Sequence, residues 1–153
     1  MISAGMRAFL DMLAKSEGTY GIGDNGYNVL VGGNIFYGYG DHPRKLVSLP
    51  RLRIKSTAAG RYQILAKYYD AYRKTLKLPD FSPDSQDAIA VQMMSERGAL
   101  PFIEVGNIKE AVRRVRNIWA SLPGAGYGQH EQDLKQVLAW YDKFYENRKE
   151  AEA

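Results

Sequence analysis

The sequence predicts an α+β domain in which helices predominate and the strands form one short hairpin. Apolar residues recur at the three- and four-residue spacing of a helix along most of the chain, whereas one stretch combines β-branched and aromatic residues around a glycine turn. A length of 153 residues is enough to bury one substantial core. We therefore expect a single domain over residues 1–153.

The first predicted helix covers residues 6–17 and ends on a carboxylate. Its apolar stripe, at spacings of four, three and four, consists of Met6, Leu10, Leu13 and Glu17. The opposite stripe, where we expect solvated ion pairs, consists of Arg7, Asp11 and Lys15. Gly18 follows at once and predicts the end of the helix, because glycine tolerates the left-handed conformation found there. Glu17 is therefore the one charged residue on the face that should be buried.

A carboxyl group on an apolar face is a candidate general acid. Its charged form loses hydration there, so its pKa rises and it can hold a proton near neutral pH. The alternative for Glu17 is a solvated glutamate in the last turn of a helix, with no chemical role. Periodicity alone leaves both interpretations open.

The rest of the chain alternates between loops and helices. A hairpin is predicted from two short runs, residues 27–31 and 34–37, around the turn Gly32-Gly33, and residues 38–57 predict a long irregular segment. Further helices are predicted at about residues 60–78, 82–97, 107–119 and 131–148. The expected N-caps are Ser56 or Thr57, Ser82 and Asn107.

Composition restricts the partners of the chain. The net charge of +4 and the pI of about 9.2 favour an anionic partner, although a solvated basic face is the simpler alternative. The densest run of bases covers residues 44–61, and Arg113, Arg114 and Arg116 form a second group. Eleven tyrosines and two tryptophans suit either a core or stacking on sugars or bases.

The sequence gives no indication of a metal site. It contains no cysteine, and its two histidines, His42 and His130, are isolated from each other. We expect neither a metal nor another cofactor. Because the chain starts without a basic segment followed by an apolar run, and no apolar window approaches the ~20 residues of a membrane helix, we expect no signal peptide and no stable membrane insertion.

Three irregular segments adjoin predicted helix ends, where functional residues tend to lie. The first begins at Glu17. In the second, residues 56–64, Tyr62 and Gln63 fall in the first turn of a helix and can present a hydroxyl and an amide to a cleft; a capped helix start without function is the alternative. The third, residues 123–129, lacks the preceding strand and the Lys-Ser/Thr pair of a nucleotide site. Tyr127 in its glycine frame suits a gate or a stacking residue.

Together these segments give the chain a family resemblance. Collinear matching runs extend to about Gln129, at residues 8–18, 26–33, 41–47, 56–63, 81–83, 96–101 and 117–129. In these runs the chain resembles the lambda-type phage lysozymes, endolysins of the peptidoglycan lytic transglycosylase kind. The resemblance implies a lysozyme-like α+β fold with a mostly helical lobe, a small β-hairpin lobe and an active-site cleft between them.

The resemblance also implies roles for individual residues. Glu17 takes the position of the catalytic glutamate, which agrees with its place on the helix face. The expected glycan contacts are Ser56, Tyr62, Gln63, Tyr127 and Gln129. Residues 47–57 and 122–131 correspond to two flexible lips that close over substrate. Asn28 is a departure, since a relative carries aspartate at that position.

The activity implied by the resemblance is cleavage of the β-1,4 bond between N-acetylmuramic acid and N-acetylglucosamine, with formation of 1,6-anhydro ends, during host cell lysis. One alternative is a hydrolytic muramidase that uses Asp24 or Asp41 beside Glu17. Another is a noncatalytic basic module that binds glycan or nucleic acid. We expect a monomer whose partner is the peptidoglycan glycan strand and not nucleic acid. It would wait in the host cytoplasm and reach periplasmic peptidoglycan after membrane permeabilisation.

Overall fold

The computed structural model describes residues 2–126 and 131–152. These ranges contain six helices and one antiparallel strand pair: α1 (Ala4–Glu17), β1 (Val47–Leu49), β2 (Ile54–Ser56), α2 (Ala66–Leu76), α3 (Pro83–Glu96), α4 (Leu100–Glu104), α5 (Ile108–Val115) and α6 (Leu134–Glu152). The chain divides into two compact units: the first consists of residues 1–16 and 92–153, and the second of residues 17–91. No helix in the described ranges has the length and hydropathy of a membrane span.

The core of the first unit is built on α1. The apolar side chains that α1 buries there are Met6, Ala8, Phe9, Leu10, Met12, Leu13 and Ala14. Those of α5 are Ile108, Ala111, Val112 and Val115, and α6 adds Val137 and Tyr141. The predicted first helix is confirmed, including its end at Glu17.

The structure corrects the expected environment of Asp11. Its side chain is only 3% exposed and accepts a 3.0 Å hydrogen bond from Arg148 Nη2 of α6. The last helix, predicted to end near residue 148, continues to Glu152, so Arg148 is held within a helix. Helix α6 therefore covers part of the α1 stripe that periodicity assigned to solvent. The spacing of residues within α1 could not indicate this contact.

The strand pair of the second unit lies in the segment expected to be irregular. β1 and β2 pair with Val47 opposite Ser56 and Leu49 opposite Ile54. The predicted hairpin at residues 27–37 is wrong as a strand pair, since it keeps only the isolated bridge between Val29 and Ile35. On this side Leu30 N donates to Asn34 O and Phe36 N donates to Asn28 O. The opposite edge of the same segment bonds to residues 58–60, where Val31 N donates to Ala58 O and Val29 O accepts from Gly60 N.

Helix α2 begins at Ala66, later than predicted, because a compact turn precedes it. Gly60 and Gln63 have φ angles of +83° and +53°, which a right-handed helix excludes. The prediction of Ser56 or Thr57 as the N-cap is therefore wrong, although Thr57 Oγ1 accepts a 3.0 Å hydrogen bond from Ala66 N. Leu65 occupies the cap position itself without a side-chain bond.

The later helices agree with the sequence except for one. α3 begins at Pro83 as predicted, and the Asn107 side chain caps α5 by accepting a hydrogen bond from Glu110 N. α5 ends at Val115, short of residue 119. The short helix α4 is absent from the prediction because Pro101 resembles a helix breaker, although it lies in the first turn, where proline is tolerated.

Removal of Arg148 should destabilise the protein. In Arg148→Ala the buried Asp11 carboxylate loses its partner on α6, and we expect the free energy of unfolding to fall by about 1–3 kcal/mol. Lys143→Ala, at an exposed position of the same helix, is the matched control and should change it by about 0.5 kcal/mol or less. Urea unfolding followed by circular dichroism measures both variants. Equal stabilities would contradict a stabilising role for the ion pair.

Candidate active site

Glu17 is the last residue of α1 and is half-buried. Gly18, with φ of +80°, takes the chain out of the helix, as its position predicted. The second unit begins at Glu17, and the residues that follow form a tight loop to Gly26. The geometry of that loop decides how firmly the Glu17 backbone is held.

The loop is tied to the 56–64 segment by a buried hydrogen bond. Thr19 lies two residues after Glu17, and its Oγ1 donates to Arg61 O at 2.6 Å. On the other side, Gly26 packs so closely that a Cβ there would lie 2.8 Å from Thr19 O. Thr19 is therefore fixed from both directions, and the loop that follows Glu17 is bonded to the 56–64 segment.

Arg61 belongs to the basic run of the sequence, yet its side chain is only 1% exposed. Its Nε donates to Asn25 O at 2.9 Å. The guanidinium lies 5.6 Å from the ring centre of Tyr20, 5.3 Å from that of Tyr27 and 5.8 Å from that of Tyr62, within cation–π range. The expectation of a solvated basic face is thus wrong for Arg61, because three tyrosine rings surround its charge.

Asp87 of α3 completes the buried network. Its Oδ1 accepts hydrogen bonds from Tyr62 OH at 2.6 Å and from Tyr27 OH at 2.9 Å. Arg61 Nη1 donates to the same Tyr62 hydroxyl, so that hydroxyl connects the guanidinium to the carboxylate. Burial, reinforced by the charge of Asp87, raises the pKa of Tyr62 well above its usual range. Tyr62 therefore stays protonated and holds the network together.

Asp87 and Thr19 are the residues that the sequence prediction missed. Asp87 carried a usable signal, because it lies three and seven residues before Ala90 and Met94, on the buried stripe of α3. This is the pattern that identified Glu17. Thr19 carried no such signal, since its partner is a backbone carbonyl 42 residues away.

The predicted glycan contacts have different environments. Ser56 ends β2, half-buried, and its Oγ accepts a hydrogen bond from Ala58 N. The half-buried Gln63 amide donates to Gly60 O at 2.9 Å and to Val29 O at 3.3 Å. Tyr62 is completely buried, so the expectation that it presents its hydroxyl to a cleft is wrong. Tyr127 and Gln129 lie outside the described residues.

The two carboxylates that could act beside Glu17, those of Asp24 and Asp41, already form contacts within the protein. Asp24 Oδ2 accepts a short hydrogen bond from Tyr39 OH. Asp41 forms an ion pair with Arg44, which holds the pKa of the Asp41 carboxyl below its usual range. Among the residues that the structure describes, no group of three His, Cys, Asp or Glu side chains could hold a metal ion. The role of Glu17 in proton transfer stays a prediction from the sequence.

The fold defines a lysozyme-like protein. The chain matches the structure of bacteriophage lambda lysozyme complexed with a chitohexasaccharide at a TM-score of 0.90 and 54% identity, covering 94% of this chain and 96% of that one. A second structure, lysozyme from bacteriophage lambda, matches at a TM-score of 0.80 and 52% identity, covering 99% and 96%. The predicted lysozyme-like α+β class is confirmed.

Sequence comparison gives the family. A family model described as endolysin matches residues 7–146. The chain is 58% identical over 137 residues to the endolysin of Escherichia phage lambda, covering 87% of this chain and 86% of that protein. It is 53% identical over 146 residues to the endolysin of Escherichia phage P2, covering 87% and 88%. The chain belongs to the endolysin family, enzymes that degrade peptidoglycan, and the predicted resemblance is confirmed.

Loss of the Thr19 hydroxyl should loosen the candidate site. Thr19→Val keeps the side-chain shape but removes the 2.6 Å bond to Arg61 O, and we expect the free energy of unfolding to fall by about 1–3 kcal/mol. We also expect kcat to fall more than KM rises, because the loop after Glu17 is displaced. Thr75→Val, which removes an exposed bond to Ala71 O within α2, is the control. Chemical unfolding and initial-rate assays measure both effects, and wild-type values for Thr19→Val would contradict the role given to this bond.

Proposed function

We propose that this endolysin is a lytic transglycosylase. It cleaves the β-1,4 bond between N-acetylmuramic acid and N-acetylglucosamine and leaves 1,6-anhydro ends, with Glu17 as the only catalytic carboxylate. The observation that carries the proposal is the engagement of the alternative carboxylates: Asp24 is held by Tyr39, and Asp41 by Arg44. A hydrolase of the usual kind needs two carboxylates in suitable positions.

One carboxyl group is sufficient for the proposed reaction. Protonated Glu17 donates its proton to the glycosidic oxygen, the bond to C1 of the muramoyl residue breaks, and positive charge develops at C1. The Glu17 carboxylate then takes the proton from the muramoyl C6 hydroxyl, whose oxygen attacks C1. The 1,6-anhydro ring closes, Glu17 is protonated again, and no water is consumed.

We propose that Ser56, Gln63, Tyr127 and Gln129 contact the glycan. A sugar oligomer is bound to the related lambda lysozyme, which supports glycan binding by this chain. Tyr62 would support the site indirectly, because its buried hydroxyl holds Arg61 and Asp87 in place. The enzyme would need no cofactor and would act as a monomer with a single domain. It would reach periplasmic peptidoglycan from the host cytoplasm during lysis.

Four arginines are committed to contacts within the protein, which weakens a nucleic-acid-binding alternative, whereas Lys45, Arg51, Arg53 and Lys55 are exposed. Arg44 is paired with Asp41 and Asp70, and Arg61 is buried. Arg113 and Arg114 are both paired with Glu110. A protein that binds nucleic acid through phosphate contacts needs such cations at its surface and uncommitted.

Glu17→Gln should remove nearly all lytic activity while the protein stays folded. Glutamine keeps the shape of the side chain but can neither give nor take the proton, and general acid–base catalysis contributes typically ~10²- to 10⁴-fold. Asp24→Asn and Asp41→Asn are matched controls that we expect to keep most of the activity. Clearance of purified peptidoglycan gives the rates, and circular dichroism checks the fold.

Two results of this series would contradict the proposal. Substantial activity of folded Glu17→Gln would exclude Glu17 as the catalytic acid. Loss of activity in either aspartate variant, together with reducible muramoyl ends in the products of the wild-type enzyme, would favour a hydrolase. The proposed reaction instead releases muropeptides that are lighter by one water and lack a reducible end.

A further inference from the structure

The first unit contains a pocket whose residues the proposed mechanism does not use. We call it the basic pocket, and its lining includes Lys109, Val112, Arg113, Arg116, Pro123 and Gly124. Its volume of about 480 Å³ is within the range of roughly 300–1,000 Å³ that small-ligand sites occupy. Helix α5 forms one side, and residues 123–124 form another.

Three cations follow one face of α5. Lys109, Arg113 and Arg116 are separated by four and three residues, so their charges extend over about 10 Å at the rise of about 1.5 Å per residue. Glu110 also lines the pocket, but its carboxylate already accepts hydrogen bonds from Arg113 and Arg114. Within the described residues, Lys109 and Arg116 form no ion pair, so they remain the cations open to a ligand.

One wall of the basic pocket already binds a carboxylate from the same chain. Gly124 N donates to Glu131 Oε1 at 3.0 Å, and Gly126 N donates to Glu131 Oε2 at 2.6 Å. Both glycines have positive φ, +80° and +78°, a conformation that turns backbone N–H groups toward an anion. These bonds, aided by the charge of Arg116, lower the pKa of Glu131. The loop chemistry therefore suits carboxylates.

The guanidinium of Arg116 lies against the same loop. A Cβ on Gly124 would be only 2.7 Å from Arg116 Nη1, so this arginine packs on the loop backbone. Val112, Pro123 and Leu134 add an apolar surface to the pocket, which suits methyl groups. None of the lining residues that the structure describes is aromatic.

We propose that the basic pocket binds the peptide stem of peptidoglycan, a short peptide that carries carboxylates and alanine methyl groups. Lys109 and Arg116 would pair with stem carboxylates, and the methyl groups would lie on Val112, Pro123 and Leu134. The pocket would thereby bind substrate through its peptide. This proposal rests on the proposed function, because it requires peptidoglycan as the substrate.

The test compares two substrates that differ only in the stem. One is intact peptidoglycan, and the other is the same glycan with its stems removed by an amidase. For Lys109→Ala and Arg116→Ala we expect KM on intact peptidoglycan to rise about three- to tenfold at low salt, with kcat nearly unchanged. On stripped glycan both variants should match the wild-type enzyme. Arg97→Ala, an exposed change of equal charge elsewhere in the first unit, should match it on both substrates.

A direct binding measurement separates this proposal from the proposed function. We expect a soluble stem tetrapeptide to shift the NMR signals of α5 amides in the wild-type protein, and Arg116→Ala to abolish the shifts. This readout does not depend on glycan cleavage, so it decides the pocket's role even if the mechanism is wrong. If Arg116→Ala does not fold, Arg116→Lys and Lys109→Ala take its place. Absent shifts, or equal KM changes on intact and stripped substrate, would overturn the proposal.

Discussion

The hydrogen bond from Thr19 Oγ1 to Arg61 O is the interaction on which the candidate site depends. It joins the loop that leaves α1 after Glu17 to the turn that carries Gln63. Its acceptor is fixed in turn, because the Arg61 guanidinium lies among tyrosine rings and is connected to Asp87 through the Tyr62 hydroxyl. A buried guanidinium is tolerated only when its donors are satisfied, so the position of the loop after Glu17 depends on a complete polar network.

Contacts within the fold also change the interpretation of the positive net charge. In sequence, residues 44–61 contain six bases and no acid, which favours a polyanion-binding face. In the fold, Arg44 is bound between Asp41 and Asp70, Arg61 is buried, and the other four bases of the run are exposed. Lys109 and Arg116, beside α5, line a concave pocket with apolar walls. Local chemistry, and not total charge, therefore determines which anions this protein can recognise.

The sequence was most informative where a signal is local. Periodicity identified α1 and its end at Glu17, and cap chemistry identified the starts of α3 and α5 at Pro83 and Asn107. It failed where the contacts come from distant segments. Residues 58–60 bond to the outer edge of residues 29–31, and Asp11 is buried because α6 supplies Arg148. In the candidate site, Glu17 could be found from its own helix, whereas Thr19 could not, because its partner is a remote carbonyl.

In the proposed reaction one carboxylate cleaves the glycan without water. Digestion of purified peptidoglycan in water enriched in ¹⁸O tests it directly, since a hydrolase must place a solvent oxygen on C1 of the new muramoyl end. The transglycosylase account predicts that the C1 oxygen of this end comes from the C6 hydroxyl, so the muropeptides have the same mass in labelled and ordinary water. Incorporation of one ¹⁸O at each new end would contradict the account and would require a second group that activates water beside Glu17.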